Sequence, residues 1–530
     1  MLFIGVSCML ASGCGLSQWV QNGFQVGPDY HPPAASVSEH WIDIGNEHVL
    51  HLPPDDPYWW SVFEDPILNN LVQTALAQNL TLRQAGSRIM QARASRAITA
   101  GNLFPQVQQS FGDATRIQES QSVALPPPIR AFDEWDVGFN ASWEIDVWGK
   151  FRRALETADA RLEASIYDYD AVLVSLLAEV VSAYVDIRTF EQRIQYAKQN
   201  VMVQESSLQL STTRFDEGKT SKVGVYLAEA NLNGTEATLP ALETGLRQAS
   251  NRLCTLLGIP PTDLSTWLGE GDGIPEVPAD IAVGIPADLL RRRPDVRQAE
   301  RQVAAQSAQI GVAVSDLFPS ISLNGEVFQS SEDFGDLFNS ASAAGSIGPS
   351  FRWNILNYGR ITNNVRLQDA RLLELIASYQ NTVLVASQEV EDALIAFLKS
   401  KREVVSLRNG VDNLNESLKL LLIQFEEGSI DFSPIFVLQG SLRSAQDQMA
   451  AAEGQVLLNM VAVYRALGGG WKIRYPGFET QVMPVDDQPT DAATDPFLAP
   501  EKVEQGNAQL EEFLMPAPGV VPKEDSEDGQ

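Results

Sequence analysis

The chain has few of the residues on which most catalytic and metal sites depend. Its 530 residues include four histidines, all between His31 and His51, and three cysteines, Cys8, Cys14 and Cys254. With no histidine in the body, Ser-His-Asp and Cys-His arrangements are excluded there. His48-Val49-Leu50-His51 lacks a convincing metal partner. Three cysteines cannot form a disulfide framework, and Cys254, amid Leu253, Leu256 and Leu257, reads as a small buried hydrophobe. Bases are scarce too: 38 against 68 acids gives a net charge of −30. That balance excludes a nucleic-acid partner, whose phosphates need Lys and Arg. Long apolar runs are also missing. A spanning helix needs about 18 consecutive apolar residues, and the best stretch, Ala171 to Ala178, stops at Glu179. Any membrane crossing must therefore use strands. Gly468-Gly469-Gly470 has no phosphate-loop Lys and reads as a helix terminator. No catalytic residue, metal or cofactor is expected, and the chain is not read as an enzyme.

What is present begins with two unusual ends. From Gly477 to Gln530 there are 13 acids and 2 bases, with eight prolines between Pro476 and Pro522. Such a composition predicts a disordered tail, taken here as 472–530. At the other end, Met1 to Gly13 is a short apolar run closing on small residues before Cys14, the shape of an exported segment with a small-residue cleavage site. It resembles a bacterial lipoprotein signal, which implies that Cys14 carries the lipid, a palmitate. Two features depart from that pattern: no Lys or Arg precedes the run, and Ala11 stands where Leu is usual.

Residues 149–258 are echoed by residues 359–468 at a constant offset of 210. Gly149 pairs with Gly359, Asp159-Ala160-Arg161-Leu162 with Asp369-Ala370-Arg371-Leu372, Phe215 with Phe425, and Gly218 with Gly428. Duplication on this scale points to symmetric assembly. Just before each echoed stretch lies period-two sequence. Trp135, Val137, Phe139, Ala141, Trp143, Ile145 and Val147 alternate with polar or small residues; Ile347, Pro349, Phe351, Trp353 and Ile355 do so in the second copy. A second strand in each begins near Leu103-Phe104-Pro105 and Leu317-Phe318-Pro319, at an offset of 214. Four strands are expected, at about 103–117, 132–148, 317–329 and 345–356. Alternation alone also fits a soluble sheet lying on helices, whereas Trp135, Trp143, Trp148 and Trp353 favour lipid interfaces. Four strands leave two open edges, which hydrocarbon forbids, so a membrane reading compels oligomerisation.

Proline-free stretches from Lys150 to about Thr213 and from Arg360 to about Ile423 read as single helices of about 95 Å. Leu155, Leu162, Tyr169, Leu176 and Ala183, with Val365, Leu372, Tyr379, Ala386 and Ala393, keep coiled-coil spacing. Each ends in a turn, Arg214-Phe215-Asp216-Glu217-Gly218 or Gln424-Phe425-Glu426-Glu427-Gly428. A return helix follows each turn. Shorter helices precede the strands, over Leu68 to Ala100 and Ala287 to Val314.

Several stretches, taken in order, resemble the TolC-type outer-membrane efflux ducts, in their lipoprotein (NodT-like) branch. They are Val26-Gly27-Pro28-Asp29-Tyr30, Trp59-Trp60 with Asp65-Pro66, and Ile285-Pro286-Ala287-Asp288-Leu289-Leu290-Arg291-Arg292-Arg293-Pro294-Asp295. Ala299-Glu300-Arg301, Ile310-Gly311-Val312-Ala313 and Gly348-Pro349-Ser350-Phe351 complete the set. The resemblance implies a mixed α and transmembrane β fold, internally duplicated. A long coiled-coil-like helical tube would join four strands per chain that contribute to a trimeric 12-stranded β-barrel. It also implies a homotrimer in outer-membrane lipid, gripped by a periplasmic adaptor (membrane fusion) protein and served by an inner-membrane pump of RND type. The expected division is a signal segment 1–13, a lipid-anchored extended segment 14–64, a first repeat 65–258, a connector 259–285 and a second repeat 286–471.

The implied function is a passive duct of a tripartite efflux system, exporting drugs or other small toxic compounds and gated at periplasmic helix tips. Alternatives are a duct for type I protein secretion or metal-ion efflux, and a lipid-anchored periplasmic scaffold that never spans the membrane. Arg214, Phe215, Gly218, Gln424, Phe425 and Gly428 resemble the adaptor-docking tips; plain helix capping would also want both glycines. The family's usual gate acid, six positions past the tip glycine, is here Gly224 or Pro434. Asp431, Glu426 and Glu427 are the remaining gate candidates, against the alternative of a solvated face. Arg291, Arg293, Pro294, Asp295 and Glu300 read as a helix-start signature with structural ion pairs, Asp295 complementing the helix dipole.

Overall fold

The computed structural model describes residues 19–50, 58–118, 120, 122, 131–269, 273–276, 280–284 and 286–474. Cys14, the segment before it and the acidic tail beyond Arg474 lie outside these residues. In chain order the strands are β1 (Val49–Leu50), β2 (Val107–Gln118), β3 (Ala131–Ile145), β4 (Ile281–Ala282), β5 (Ser320–Ser331) and β6 (Ala343–Arg352). The helices are α1 (Pro66–Gln78), α2 (Leu80–Gly101), α3 (Lys150–Asp216), α4 (Lys222–Glu236) and α5 (Leu239–Leu257). They continue with α6 (Ser265–Leu268), α7 (Leu289–Arg292), α8 (Pro294–Ser315), α9 (Arg360–Glu426) and α10 (Ser433–Ala466). Both α3 and α9 have 67 residues, each about 100 Å long. The chain's described residues form two compact units, one drawn from 19–35, 88–167 and 297–382, the other from 36–87, 168–296 and 383–474.

The first unit holds a four-stranded antiparallel sheet in the order β2-β3-β5-β6. Its strand limits correct the sequence expectation at several ends. Leu103 and Phe104 turn their N–H groups back to Ala100 and Gly101, and Pro105 has none to offer, so β2 starts at Val107 rather than 103. The same turn at Leu317 and Phe318 delays β5 to Ser320. β3 stops at Ile145, not Trp148, because the Asp146 carboxylate accepts from the N–H groups of Phe151 and Arg152 at 3.1 and 3.0 Å and so starts α3. β6 ends at Arg352, not 356, opposite Ser320, where its antiparallel partner β5 begins.

Two tryptophans repeat one tether at the sheet's end. Trp143 Nε1 donates to Leu103 O at 3.1 Å, and Trp353 Nε1 donates to Leu317 O at 3.0 Å. In mid-sheet Gly138 pairs with Phe111 on one side and Phe328 on the other. A Cβ at Gly138 would sit 2.5 Å from Phe328 Cβ and 2.9 Å from Phe111 Cζ. Two aromatic side chains thus cover a residue that has none.

An N-terminal strap crosses the same unit. Arg152 Nη1 and Nη2 donate to Gly23 O (2.5 Å) and Phe24 O (2.9 Å). Arg153, with a side chain 3% exposed, donates to Val26 O at 3.2 Å and pairs with Asp29 at 2.7 Å and Glu156 at 2.8 Å. A Cβ on Gly27 would lie 2.4 Å from Gly311 Cα, so strap and α8 meet backbone to backbone at two glycines. Here the buried row of α3 is Arg153, Thr157, Ala160 and Ala164, displaced from the expected Leu155 and Leu162, which are only half-buried. Tyr169, Leu176 and Ala183 are buried.

Among its described residues the second unit has only helices and the parallel strand pair β1-β4. The stretch expected as one helix from Leu68 breaks at Asn79, whose Oδ1 accepts from Leu82 N at 2.8 Å while Nδ2 donates to Leu256 O at 2.8 Å. The helix expected over Ala287 to Val314 is likewise interrupted, at Arg293 before Pro294. The first return helix breaks between α4 and α5, where Pro240 stands in the first turn of α5; the second, α10, runs unbroken for 34 residues. No described helix is long and apolar enough to cross a membrane.

Arg188, 1% exposed, ties this unit together: it donates to Tyr184 Oη (3.0 Å), Glu191 (2.8 Å) and Leu268 O (2.7 Å). Tyr184 donates to Asp65, whose other oxygen caps α1 through Ile67 N at 2.8 Å.

Gly138 supplies a stability test. Overpacking costs about 1–3 kcal/mol, so Gly138→Ala should lower the thermal midpoint of the detergent-solubilised protein, and Gly138→Leu should lower it further. Unchanged midpoints for both would show that the two phenylalanines yield freely.

Candidate functional site

The two turns that close the long helices differ in almost everything but their backbone. Gly218 and Gly428 have φ of 71° and 81°, values natural to glycine. Beside them Phe215 is 37% exposed, whereas Phe425 is 1% exposed and packs edge-on against Phe432 at 5.7 Å. Phe425 and Phe432 belong to a core with Leu418, Ile435 and Leu442. The first tip mixes charges, with Arg214, Asp216, Glu217, Lys219 and Lys222; the second carries Glu426, Glu427 and Asp431 and no base between Lys419 and Arg443. A 2.8 Å pair with Lys219 holds the exposed Glu217 carboxyl below its ordinary pKa.

Arg214 brings the tips together. Its Nη1 donates to the carbonyl of Phe425 and its guanidinium lies 4.7 Å over the Phe425 ring. Gln424, at the matching position of the second tip, is exposed. Glu426, Glu427 and Asp431 are all exposed.

The signature residues fall into separate places. Arg293, 9% exposed, grips Asp295 with Nε at 3.0 Å and Nη2 at 2.7 Å. Its Nη1 donates to Ala466 O at 3.0 Å and pairs with Glu389 at 2.6 Å. Burial pulls the guanidinium pKa down, but Asp295 and Glu389 outweigh it and the net shift is upward. Pro294 opens α8 and Arg291 is exposed. Beside Arg293 an open cavity of about 640 Å³ is lined by Arg252, Arg465, Glu179, Glu389 and Asp392, a mixture that selects neither sign. In the first unit, Glu300 accepts from Tyr30 Oη at 3.0 Å and Arg301 at 2.5 Å. Among the described residues no group of three or more His, Cys, Asp or Glu is placed to hold a metal.

Sequence reasoning missed a buried polar ladder between the helices behind the tips. Asn200 Nδ2 donates to Gln446 Oε1 at 2.7 Å, Gln439 Nε2 to Ser207 Oγ at 2.9 Å, and Asn231 Nδ2 to Gln439 Oε1 at 2.8 Å. The spacing of Asn200, Gln204, Ser207 and Ser211 along one face of α3 was a visible signal. Nothing local marked Arg153 or Arg188 as buried.

Two measurements follow. Arg293→Met removes hydrogen bonds to charged partners that are themselves half-exposed, so about 2 kcal/mol of stability should be lost; a thermal midpoint equal to wild type would contradict it. Burial, then the Asp65 hydrogen bond, raises the Tyr184 pKa above its ordinary value. The unfolded chain then loses this proton near pH 10 while the folded one keeps it. Its contribution is whole below about pH 10 and lost as pH rises beyond. Tyr184→Phe should flatten the alkaline limb of the midpoint-against-pH curve, and an unchanged slope would contradict the assignment.

Comparison with known proteins agrees with this architecture. The family model for outer membrane efflux proteins matches residues 71–259 and 285–469. Nodulation protein T of Rhizobium leguminosarum bv. viciae is 31% identical, over 84% of this chain and 90% of its own. The pyoverdine export outer membrane protein OpmQ of Pseudomonas putida is 30% identical, over 79% of this chain and 90% of its own. Among solved structures, the outer-membrane channel OprN superposes with a TM-score of 0.79 at 35% identity, covering 84% of this chain and 99% of that one. The open-state MtrE channel of Neisseria gonorrhoeae gives 0.75 at 26% identity, covering 84% of this chain and 98% of that one. The chain belongs to the outer membrane efflux protein family.

Proposed function

We propose that this protein is the passive outer-membrane duct of a tripartite export system for drugs or other small toxic compounds. One observation carries the assembly: the sheet of each chain is four strands wide with β2 and β6 as open edges. Strands of 10 to 15 residues suit a tilted bilayer crossing. Hydrocarbon cannot hydrate an open edge, and three copies meeting β2 to β6 would close a barrel of 12 strands. Relatives named for pyoverdine export, toluene efflux and antibiotic efflux support small organic cargo. The channel is no enzyme: energy comes from an inner-membrane pump, here taken as RND type, and a periplasmic adaptor docks on the tips around Gly218 and Gly428. Cys14, outside the described residues, is taken as the lipid-attachment site.

Purified protein should run as a trimer in detergent and conduct in planar bilayers, with low conductance at rest and more when the tips are loosened. A trimer that never conducts, even after tip-loosening substitutions and Asp431→Ala, would leave the scaffold reading instead. Labelled palmitate should be incorporated by the wild type and lost in Cys14→Ala; retained label would move the anchor elsewhere.

A further inference from the structure

The end of α9 is electrostatically ill-made, and a residue of the other tip repairs it. Helix C-termini carry partial negative charge and favour a cation within the last turn. α3 has one there, Arg214, whereas α9 has none and places Glu426 and Glu427 at its negative end instead. The last carbonyls of α9 are partly served by its own turn: Gly428 N donates to Phe425 O at 3.0 Å and Ser429 N to Gln424 O at 2.9 Å. Phe425 O, already bonded to Gly428 N, takes a second donor from outside. Arg214 reaches away from its own helix end, donates to Phe425 O, and approaches Glu426 O at 3.4 Å. Its own carbonyl accepts from Lys219 N at 2.8 Å, the same backbone cap that Ser429 N gives Gln424 O.

Three details show that the second tip is shaped around this visitor. The guanidinium covers the Phe425 ring at 4.7 Å, a cation–π contact at the edge of the buried phenylalanine core. A Cβ on Gly428 would stand 3.1 Å from Arg214 Nη2, whereas a Cβ on Gly218 would meet nothing within 4 Å. The Arg214 Nε is buried without a hydrogen-bond partner, a cost incurred only in this inserted position. The reciprocal contact is missing: Gln424, the counterpart of Arg214, is exposed and cannot supply a charge.

We propose that Arg214 is a one-way staple that fixes the first tip to the backbone of the second and thereby sets the resting closure of the duct. The staple itself rests on the geometry; its effect on closure rests on the duct reading. Because it binds a carbonyl, a partner that pulls the tips apart has to replace one cation–carbonyl contact per chain.

The test reads geometry and conduction separately. Spin labels on Thr212→Cys and Ser429→Cys, both exposed, report the tip-to-tip distance within the trimer by pulsed electron resonance. In wild type the intrachain distribution should be narrow. In Arg214→Gln, which copies the residue of the second tip, it should broaden and lengthen by several ångströms, with Arg214→Lys intermediate. An unchanged distribution in Arg214→Gln and Arg214→Ala overturns the staple. Basal conductance in planar bilayers should rise at least tenfold in Arg214→Gln. A broadened distribution without that rise, in a channel that does conduct, refutes the gating role while leaving the duct intact. Should Arg214→Gln fail to assemble, Gly428→Ala, whose Cβ crowds Nη2, must broaden the distance in an assembled trimer, and an unchanged distance there also overturns the proposal.

Discussion

Everything in this chain is arranged around the backbone groups of two strands. In one chain β2 and β6 each present an unpaired row of N–H and C=O groups, and hydrocarbon offers them no water. The sheet is therefore incomplete by construction, and closure has to come from other chains. That requirement explains why the repeat is no barrel in itself: each copy supplies one hairpin, and β3 joins β5 across the two copies in unbroken register from Trp135↔Ser331 to Ile145↔Ile321. It also explains the twin tryptophan tethers. Trp143 and Trp353 fasten the end of each hairpin to the turn that precedes it, so the strands of both copies are held at matching positions.

Much of this was legible in the sequence because period-two and seven-residue patterns follow directly from backbone geometry. The 14 residues around Trp135 to Trp148 announced a strand, and the constant offset of 210 announced the duplication. Strand ends were less legible, since they depend on what a residue is needed for elsewhere. Asp146 continues the polar alternation of β3, yet its carboxylate is committed to the first N–H groups of α3. Heptad spacing also misled where α3 packs on both the strap and the small residues Ala304 and Ala305 of α8. Near the strap the inward row of α3 is set by Arg153, whose guanidinium must reach the carbonyl of Val26. Such long-range obligations leave no periodic trace.

The resemblance of the two copies conceals a division of labour. In the first, Pro240 splits the return helix into α4 and α5; in the second, Ala450 occupies the matching place and α10 is continuous. The tip of α9 and the start of α10 share the phenylalanine core of Phe425 and Phe432, so the second tip is built as one apolar block. The first tip leaves Phe215 half in solvent and contributes a charged side chain to its neighbour.

That contrast extends up the helices and bears on how a passive duct can open at all. Within the second copy α9 and α10 meet through Leu418, Leu442 and their apolar neighbours. Parting those surfaces returns hydrocarbon to water, at about 25 cal/mol for each Å² re-exposed. Between the copies, the same core takes in Ala228 of α4 with Leu208 and Leu227 packed against it, and beside it α3 meets α10 through amides, hydroxyls and the Arg193–Asp447 pair at 2.7 Å. A polar contact exchanged for water costs only about 0.5–1.5 kcal/mol net, and amides such as Gln439, shared between Ser207 and Asn231, can re-pair after a shift. Gln204 already has neither amide atom bonded. The polar part of the contact between the copies is thus its cheaper part to separate, whereas the core shared by Ala228, Ile435 and Leu442 holds the copies together.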